Sequence, residues 1–258
     1  MIKTGRQMIT KQGVIEGVRL VNDGNCQIDA FLGIPFAKLP IGSLRFKKPE
    51  PSEPWKGENG FAVLVFVHGG GFLIDCAAQY GDTNICNNLC RRDIIVVTIQ
   101  YRLGLLGFFC TDDEICPDNN GLRNQLMAPQ WENISAFRGN PERITLFSQS
   151  AGDLFQQVID VSGNAECDWA VAVNERIVDV CQRFARKVGW KKDGKAKVFE
   201  GSIFNRKWIN ESRTRVILAP VIDGDFLPKS IEELRKEEPV KKCMTGTCKY
   251  ESLFFGKN

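Results

Sequence analysis

Three short stretches of the chain are runs of apolar, β-branched and aromatic residues: 61–67 (Phe-Ala-Val-Leu-Val-Phe-Val), 94–100, which closes on Gln100, and 144–147. Runs of this length without polar alternation suit strands buried on both faces, and long helical or looped connections between them argue for a parallel α/β sheet. Residues 216–222 read as a further strand of this kind. Helical spacing is clearest at Ile177, Cys181, Phe184 and Val188, with Arg186 and Lys187 in the last turn and Gly189 as the stop. Residues 122–136 have helical composition behind the turn Asn119-Asn120-Gly121, and Pro129 should break or kink that helix. Residues 231–238 predict a short helix closed by Pro239. Ahead of the first run, residues 13–55 are extended and turn-rich, with Pro and Gly frequent enough to exclude long helices; short strands and loops are expected around 14–15, 28–31, 33–37 and 44–46. No internal repeat or low-complexity linker divides the chain, so residues 1–258 are expected to form one domain.

The ends of the apolar runs carry the candidate chemistry. The run at 144–147 leads into Ser148-Gln149-Ser150-Ala151-Gly152, an S-x-S-x-G version of the G-x-S-x-G elbow that lifts a serine hydroxyl clear of a sheet. Taken alone, that pentapeptide is equally the sequence of an ordinary serine-rich loop. The run at 61–67 leads into His68-Gly69-Gly70-Gly71-Phe72, where amides unshielded by any Cβ can point at an oxyanion, although a plain glycine hinge has the same composition. Acyl transfer through serine needs a nucleophile, oxyanion donors, a base and an acid that orients the base. Ser150 is the candidate nucleophile, and the amides of Gly70, Gly71 and Ala151 are the candidate donors.

Composition narrows the picture. The net charge of +3 is too small to argue for nucleic acid. Residues 183–258 hold 18 Lys and Arg against 10 Asp and Glu, but the signs alternate, as on a solvated face. No apolar run approaches the length of a membrane helix, and residues 1–10 contain no apolar core of a signal peptide. A cytoplasmic location follows as an expectation, with secretion the alternative if the N-terminus is incomplete. Ten cysteines would suit disulfides, yet the reducing interior is then the default compartment. Cys86 and Cys90 are separated by three residues and Cys243 and Cys248 by four, with no histidine near either pair, so no metal site is expected. Nothing in the chain implies a cofactor. The sequons at Asn133 and Asn210 matter only for a secreted protein. The sharpest number is the histidine count, which is one: His68.

In combination these blocks resemble the type-B carboxylesterases, the α/β-hydrolase family that includes the cholinesterases. The resemblance is carried by Phe31-Leu32-Gly33-Ile34-Pro35-Phe36-Ala37 with Leu44-Arg45-Phe46, His68 to Phe72, Tyr101-Arg102-Leu103-Gly104, Gly121-Leu122, Asn133-Ile134 and the stretch from Phe137 to Gly152. Leu154-Phe155-Gln156-Gln157-Val158-Ile159, Ser162-Gly163, Asp223-Gly224-Asp225-Phe226 and the stretch from Gly246 to Phe255 continue it in the family's order. It implies an α/β-hydrolase fold, a central mostly parallel sheet with helices on both faces, incomplete here at the C-terminus. It also implies Ser150 as nucleophile, Gly70, Gly71 and Ala151 as oxyanion amides, and Glu251, in the loop Gly246-Thr247-Cys248-Lys249-Tyr250-Glu251-Ser252, as the triad acid. The implied partner is a small-molecule ester; no particular protein partner is indicated.

Departures from the pattern matter as much. The family's base is a histidine well beyond the acid loop, and this sequence ends at Asn258, while His68 belongs to the oxyanion wall. Trp55 leads almost directly to Phe61, omitting a cysteine-bearing segment, and Gly152 reaches Leu154 where the family inserts the helix after the elbow. Ser148 replaces the elbow glycine, adding a Cβ and a hydroxyl where backbones approach closely, and Arg138 stands at a position often glycine. The expectation is a serine carboxylesterase-type hydrolase impaired by the absent histidine. The alternatives are a non-catalytic esterase-like binding protein, and a chain that does not fold by itself because its sheet exposes a strand edge.

Overall fold

The structure, a computed structural model, describes residues 4–10, 13–22, 26–34, 37, 45–49, 60–111, 116–128, 134–149, 157–163, 170–187, 218–237, 239 and 242–247. Its first unit is a three-stranded antiparallel sheet of β1 (Thr4–Thr10), β2 (Gly13–Asn22) and β3 (Gln27–Ala30). β1 was not expected, and β2 is longer than the short strand anticipated around Val14; β1 is largely polar, and the apolar residues of β2 are interrupted by Glu16, Gly17 and Arg19, so no sustained alternation announces them. Arg19 and Asp29, directly opposite each other on β2 and β3, form an ion pair across this sheet.

The main sheet is five-stranded and wholly parallel, as the apolar runs predict. Its strands are β4 (Phe61–Val67), β5 (Ile94–Thr98), β6 (Gly139–Gln149), β7 (Gln157–Val161) and β8 (Lys242–Gly246), in the order β5-β4-β6-β7-β8. β4 lies inside: Val63, Val65 and Val67 are buried on one face with Ile99, Tyr101, Ala128, Ile134 and Leu146. On its other face Phe66 meets Phe147 and Tyr80 with ring centroids 5.1 and 4.6 Å apart. β6 starts five residues before the apolar run, through the polar Asn140-Pro141-Glu142-Arg143. Arg138, just ahead of it, has φ 64, the left-handed conformation for which glycine is suited.

Five α-helices complete the described residues: α1 (Thr83–Asn88), α2 (Gly104–Phe108), α3 (Asn120–Met127), α4 (Asn174–Lys187) and α5 (Ile231–Glu237). α3 stops at Met127, two residues before Pro129, as the proline dictates. α4 confirms the helical spacing, with Ile177 and Cys181 buried in a cluster that also holds Phe72, Phe108, Phe109 and Cys110. α5 opens on a capping box: Ser230 Oγ accepts from the Glu233 amide at 3.2 Å and Glu233 Oε2 accepts from the Ser230 amide at 3.1 Å.

The strand expected at 216–222 is corrected. Within its described part, 218–222, the sole pairing is an isolated bridge from Ala172 to Val221. Pro220 lacks the N–H that a ladder needs, and Leu218, Ala219 and Val221 join the α4 cluster as packing residues. Asn119 holds this segment instead. Its side chain donates to the Val221 carbonyl at 2.7 Å and accepts from the Val221 amide at 3.0 Å.

Topology then fixes where a site can form. From the end of β4 the chain leaves for β5 on one side; from the end of its neighbour β6 it leaves for β7 on the other. Two adjacent strands whose connections diverge leave a crevice beyond their carboxyl ends, where open α/β sheets bind ligands.

Candidate active site

The β4 side of that crevice is the turn at residues 68–75. Gly70, Gly71 and Phe72 have φ of 103, 59 and 63, three consecutive residues in left-handed space. A Cβ on Gly70 would overlap the Ile74 carbonyl oxygen and stand 2.9 Å from the Asp75 Cβ, so glycine is required there both by conformation and by space. The Gly70 carbonyl accepts from the amides of Leu73 and Ile74 at 3.1 and 3.2 Å. Among the described residues, the amides of Gly70 and Gly71 themselves donate no hydrogen bond to a backbone carbonyl. Phe72 is held in its strained conformation by burial of its ring, 5.0 Å from that of Phe108.

His68 anchors this turn from beneath and is fully buried. Its Nδ1 lies 2.9 Å from the Gly69 carbonyl oxygen, which can only accept, so Nδ1 carries the proton and the ring is the Nδ1–H tautomer. Nε2 is buried without a hydrogen-bond partner among the described residues. Tyr101 stacks on the imidazole, centroids 4.6 Å apart at 22°, and its hydroxyl donates to the His68 carbonyl at 2.9 Å. Burial raises the Tyr101 phenol well above its ordinary pKa.

The β6 side is built by register. Val67 pairs with Ser148, and Ser148 pairs with Asp160 of β7. Ser148 is completely buried, and its hydroxyl donates to Asp160 Oδ1 at 2.9 Å. The extra hydroxyl at this elbow position is thus hydrogen-bonded, and the Ser148 backbone is outside left-handed space. Gln149 closes β6. Ser150 and Ala151 follow it in the chain and lie outside the described residues, as does Glu251; Gly70 and Gly71 are the expected site residues that the structure positions.

Sequence reasoning missed the strap that crosses these strand ends, a 3-10 turn at Ala77–Tyr80. Its Ala77 amide donates to Gln100 Oε1, just past β5, at 2.8 Å. Its Tyr80 ring packs on Phe66 of β4, and its Tyr80 hydroxyl lies 2.8 Å from the Gln149 side-chain amide and 3.0 Å from Asp75 Oδ2. Asp75 has φ 90 and also caps the Cys76 amide through Oδ1 at 2.6 Å. Burial, then Asp75, pushes the Tyr80 phenol up to about 12. An aspartate in left-handed space has no sequence signature beyond its short polar side chain, which is why this strap was not foreseen.

Other reactive groups are set aside by burial. The thiols of Cys86 and Cys181 are each pushed up to about 12, chiefly by desolvation, which keeps them protonated and poorly nucleophilic. Among the described residues no three His, Cys, Asp or Glu side chains gather where a metal could bind, and no helix is long and apolar enough to cross a membrane.

Comparison with known proteins finds similarity to esterases. The chain is 32% identical to Esterase cest-33 of Caenorhabditis elegans over 298 residues, covering 88% of this chain and 54% of that protein. It is 30% identical to Gut esterase 1 of Caenorhabditis briggsae, covering 95% of this chain and 54% of that protein, and 34% identical to the juvenile hormone esterase of Tribolium castaneum over 64% of this chain and 37% of that protein. The chain thus spans about half the length of the first two relatives. A sequence model of the carboxylesterase family matches residues 5–59 and 56–258. With its parallel sheet and glycine turn in the family's order, the chain belongs to the carboxylesterase family.

Proposed function

We propose that this chain carries the acyl-transfer side of a carboxylic-ester hydrolase acting on a small-molecule ester. The Ser150 hydroxyl attacks the ester carbonyl carbon, and the amides of Gly70, Gly71 and Ala151 hold the oxygen that becomes negative. The alcohol leaves, and water then releases the acid from the serine. Glu251 takes the role of the acid that orients a histidine base. The observation that carries this reading is the turn at Gly70 and Gly71, whose amides stand unengaged by described carbonyls at the end of β4, beside the strand that leads to Ser150.

The 258 residues contain a single histidine, and His68 is buried with its Nδ1 proton committed to the Gly69 carbonyl. In this reading it supports the wall from beneath the glycine turn, and the role of base falls to another histidine. Hydrolysis by these 258 residues alone is therefore expected near background, since loss of one triad member removes several orders of magnitude while an oxyanion hole leaves a residue of catalysis. The test is intact-mass analysis after exposure to a fluorophosphonate, together with turnover of a p-nitrophenyl ester. Slow labelling that vanishes in Ser150→Ala supports the reading; a wild-type chain that takes no label refutes it. Fast turnover lost in Ser150→Ala would refute the impairment and keep the hydrolase.

A further inference from the structure

We infer that Tyr80, oriented by Asp75, is a positioning residue that ties the nucleophile strand to the oxyanion turn; this inference rests on the hydrolase reading above. The argument starts from proton count. A phenol carries one proton, and Tyr80 lies within hydrogen-bond distance of two side chains, Asp75 Oδ2 at 3.0 Å and the Gln149 amide at 2.8 Å. Both atoms accept, so the single phenol proton is shared between the Gln149 side-chain carbonyl oxygen and the Asp75 carboxylate. The result is a short chain of contacts from Gln149 Oε1 through the Tyr80 hydroxyl to Asp75 Oδ2.

Both ends of that chain are anchored in the site. Gln149 is the last residue of β6 and the covalent neighbour of Ser150. Asp75 sits at φ 90 with its Cβ 2.9 Å from where a Cβ on Gly70 would be, so its backbone is packed directly on the oxyanion turn. Strain of this kind in a non-glycine residue persists only where the surroundings over-determine it. Here the surroundings are its two carboxylate contacts, to the Cys76 amide and to Tyr80. The strap that carries Tyr80 is itself fastened to all three neighbouring strand ends, through Gln100, Phe66 and Gln149. One hydroxyl therefore joins the end of β6 to the turn that follows β4.

Tyr80→Phe removes only the hydroxyl and keeps the ring on Phe66. In the full 258-residue chain this variant is expected to slow fluorophosphonate capture about tenfold with an unchanged melting temperature, the signature of lost alignment. Gln149→Leu is expected to slow it to the same degree. A second readout does not depend on reactivity: the ultraviolet phenolate titration, taken as the difference between wild type and Tyr80→Phe, isolates Tyr80. Titration at about 12 is expected, lowered in Asp75→Asn but still held above the ordinary 10.0 by burial. Wild-type labelling rates in Tyr80→Phe, or a Tyr80 that titrates at the ordinary phenol value in wild type, would overturn the clamp alone. A wild-type chain that takes no label at all would overturn the hydrolase reading and the clamp with it.

Discussion

β4 and β8 are strands of one parallel sheet, yet they are held in opposite ways. β4 has neighbours on both edges and valines buried to 0 or 1% exposure at 63, 65 and 67, and the turn beyond it is fixed by the buried imidazole stacked on Tyr101 and by the tilted contact of Phe72 with Phe108. β8 ends the sheet order, pairs through its backbone with β7, and every one of its five residues is exposed, Met244 to 65%. The strand that supports the candidate chemistry is thus specified by its side chains, and the strand leading toward the candidate acid is specified by its ladder alone. Side-chain specification can carry a strained turn at its end; ladder specification cannot, because among the described residues nothing packed on either face of β8 resists a shift of register.

Substitutions break this contrast in graded steps. Gly70→Ala is the largest: it forces alanine into left-handed space and against the Ile74 carbonyl, and is expected to cost about 2–4 kcal/mol in denaturant unfolding. Loss of less than about 0.5 kcal/mol would mean that the turn is far softer than its geometry. Next, Val65→Ala removes the most buried side chain of β4 and should cost about 2 kcal/mol, whereas Met244→Ala on β8 should stay within about 0.5 kcal/mol. Equal costs would erase the difference between the two strands.

The smallest effect is the alkaline one. Tyr80, Cys86 and Cys181 are acids whose folded pKa values lie above their ordinary 10.0, 9.0 and 9.0, so the folded state keeps protons that the unfolded chain has released. The stability they confer is complete below about pH 9 and is lost as pH rises from there to about 12. Melting temperature should therefore decline through that range, and the decline should be shallower in Cys181→Ala. A flat profile would show that these groups titrate alike in both states.

How much of this was legible follows from the same contrast. The residues Phe-Ala-Val-Leu-Val-Phe-Val can hardly be read as anything but a doubly buried strand, and the ladder-only strand Lys-Cys-Met-Thr-Gly carries no apolar period, so β8 went unseen. Residues 218–222 misled in the opposite sense: an apolar run identified burial correctly but not what it was buried in, and Pro220 was the clue that a ladder was impossible. The glycine run was legible because glycine is chemically singular. Tyr80, Asp75 and Gln149 were not, because 69 residues separate the partners of the Tyr80–Gln149 contact and only the folded sheet brings them together.

The register between β4 and β6 also bears on how such a chain can lose or gain residues. The glycine turn and Gln149 lie far apart in sequence, but their relation is fixed by consecutive pairs from Val63–Ile144 to Val67–Ser148. One residue inserted into either strand would slide its end by about 3.3 Å and turn every following side chain to the opposite face. Deletions in the connections leave those pairs untouched. Residues 55–60 and 152–154, where the sequence reading expects departures from the family's pattern, fall outside the paired segments, so a change of length there would leave this register intact.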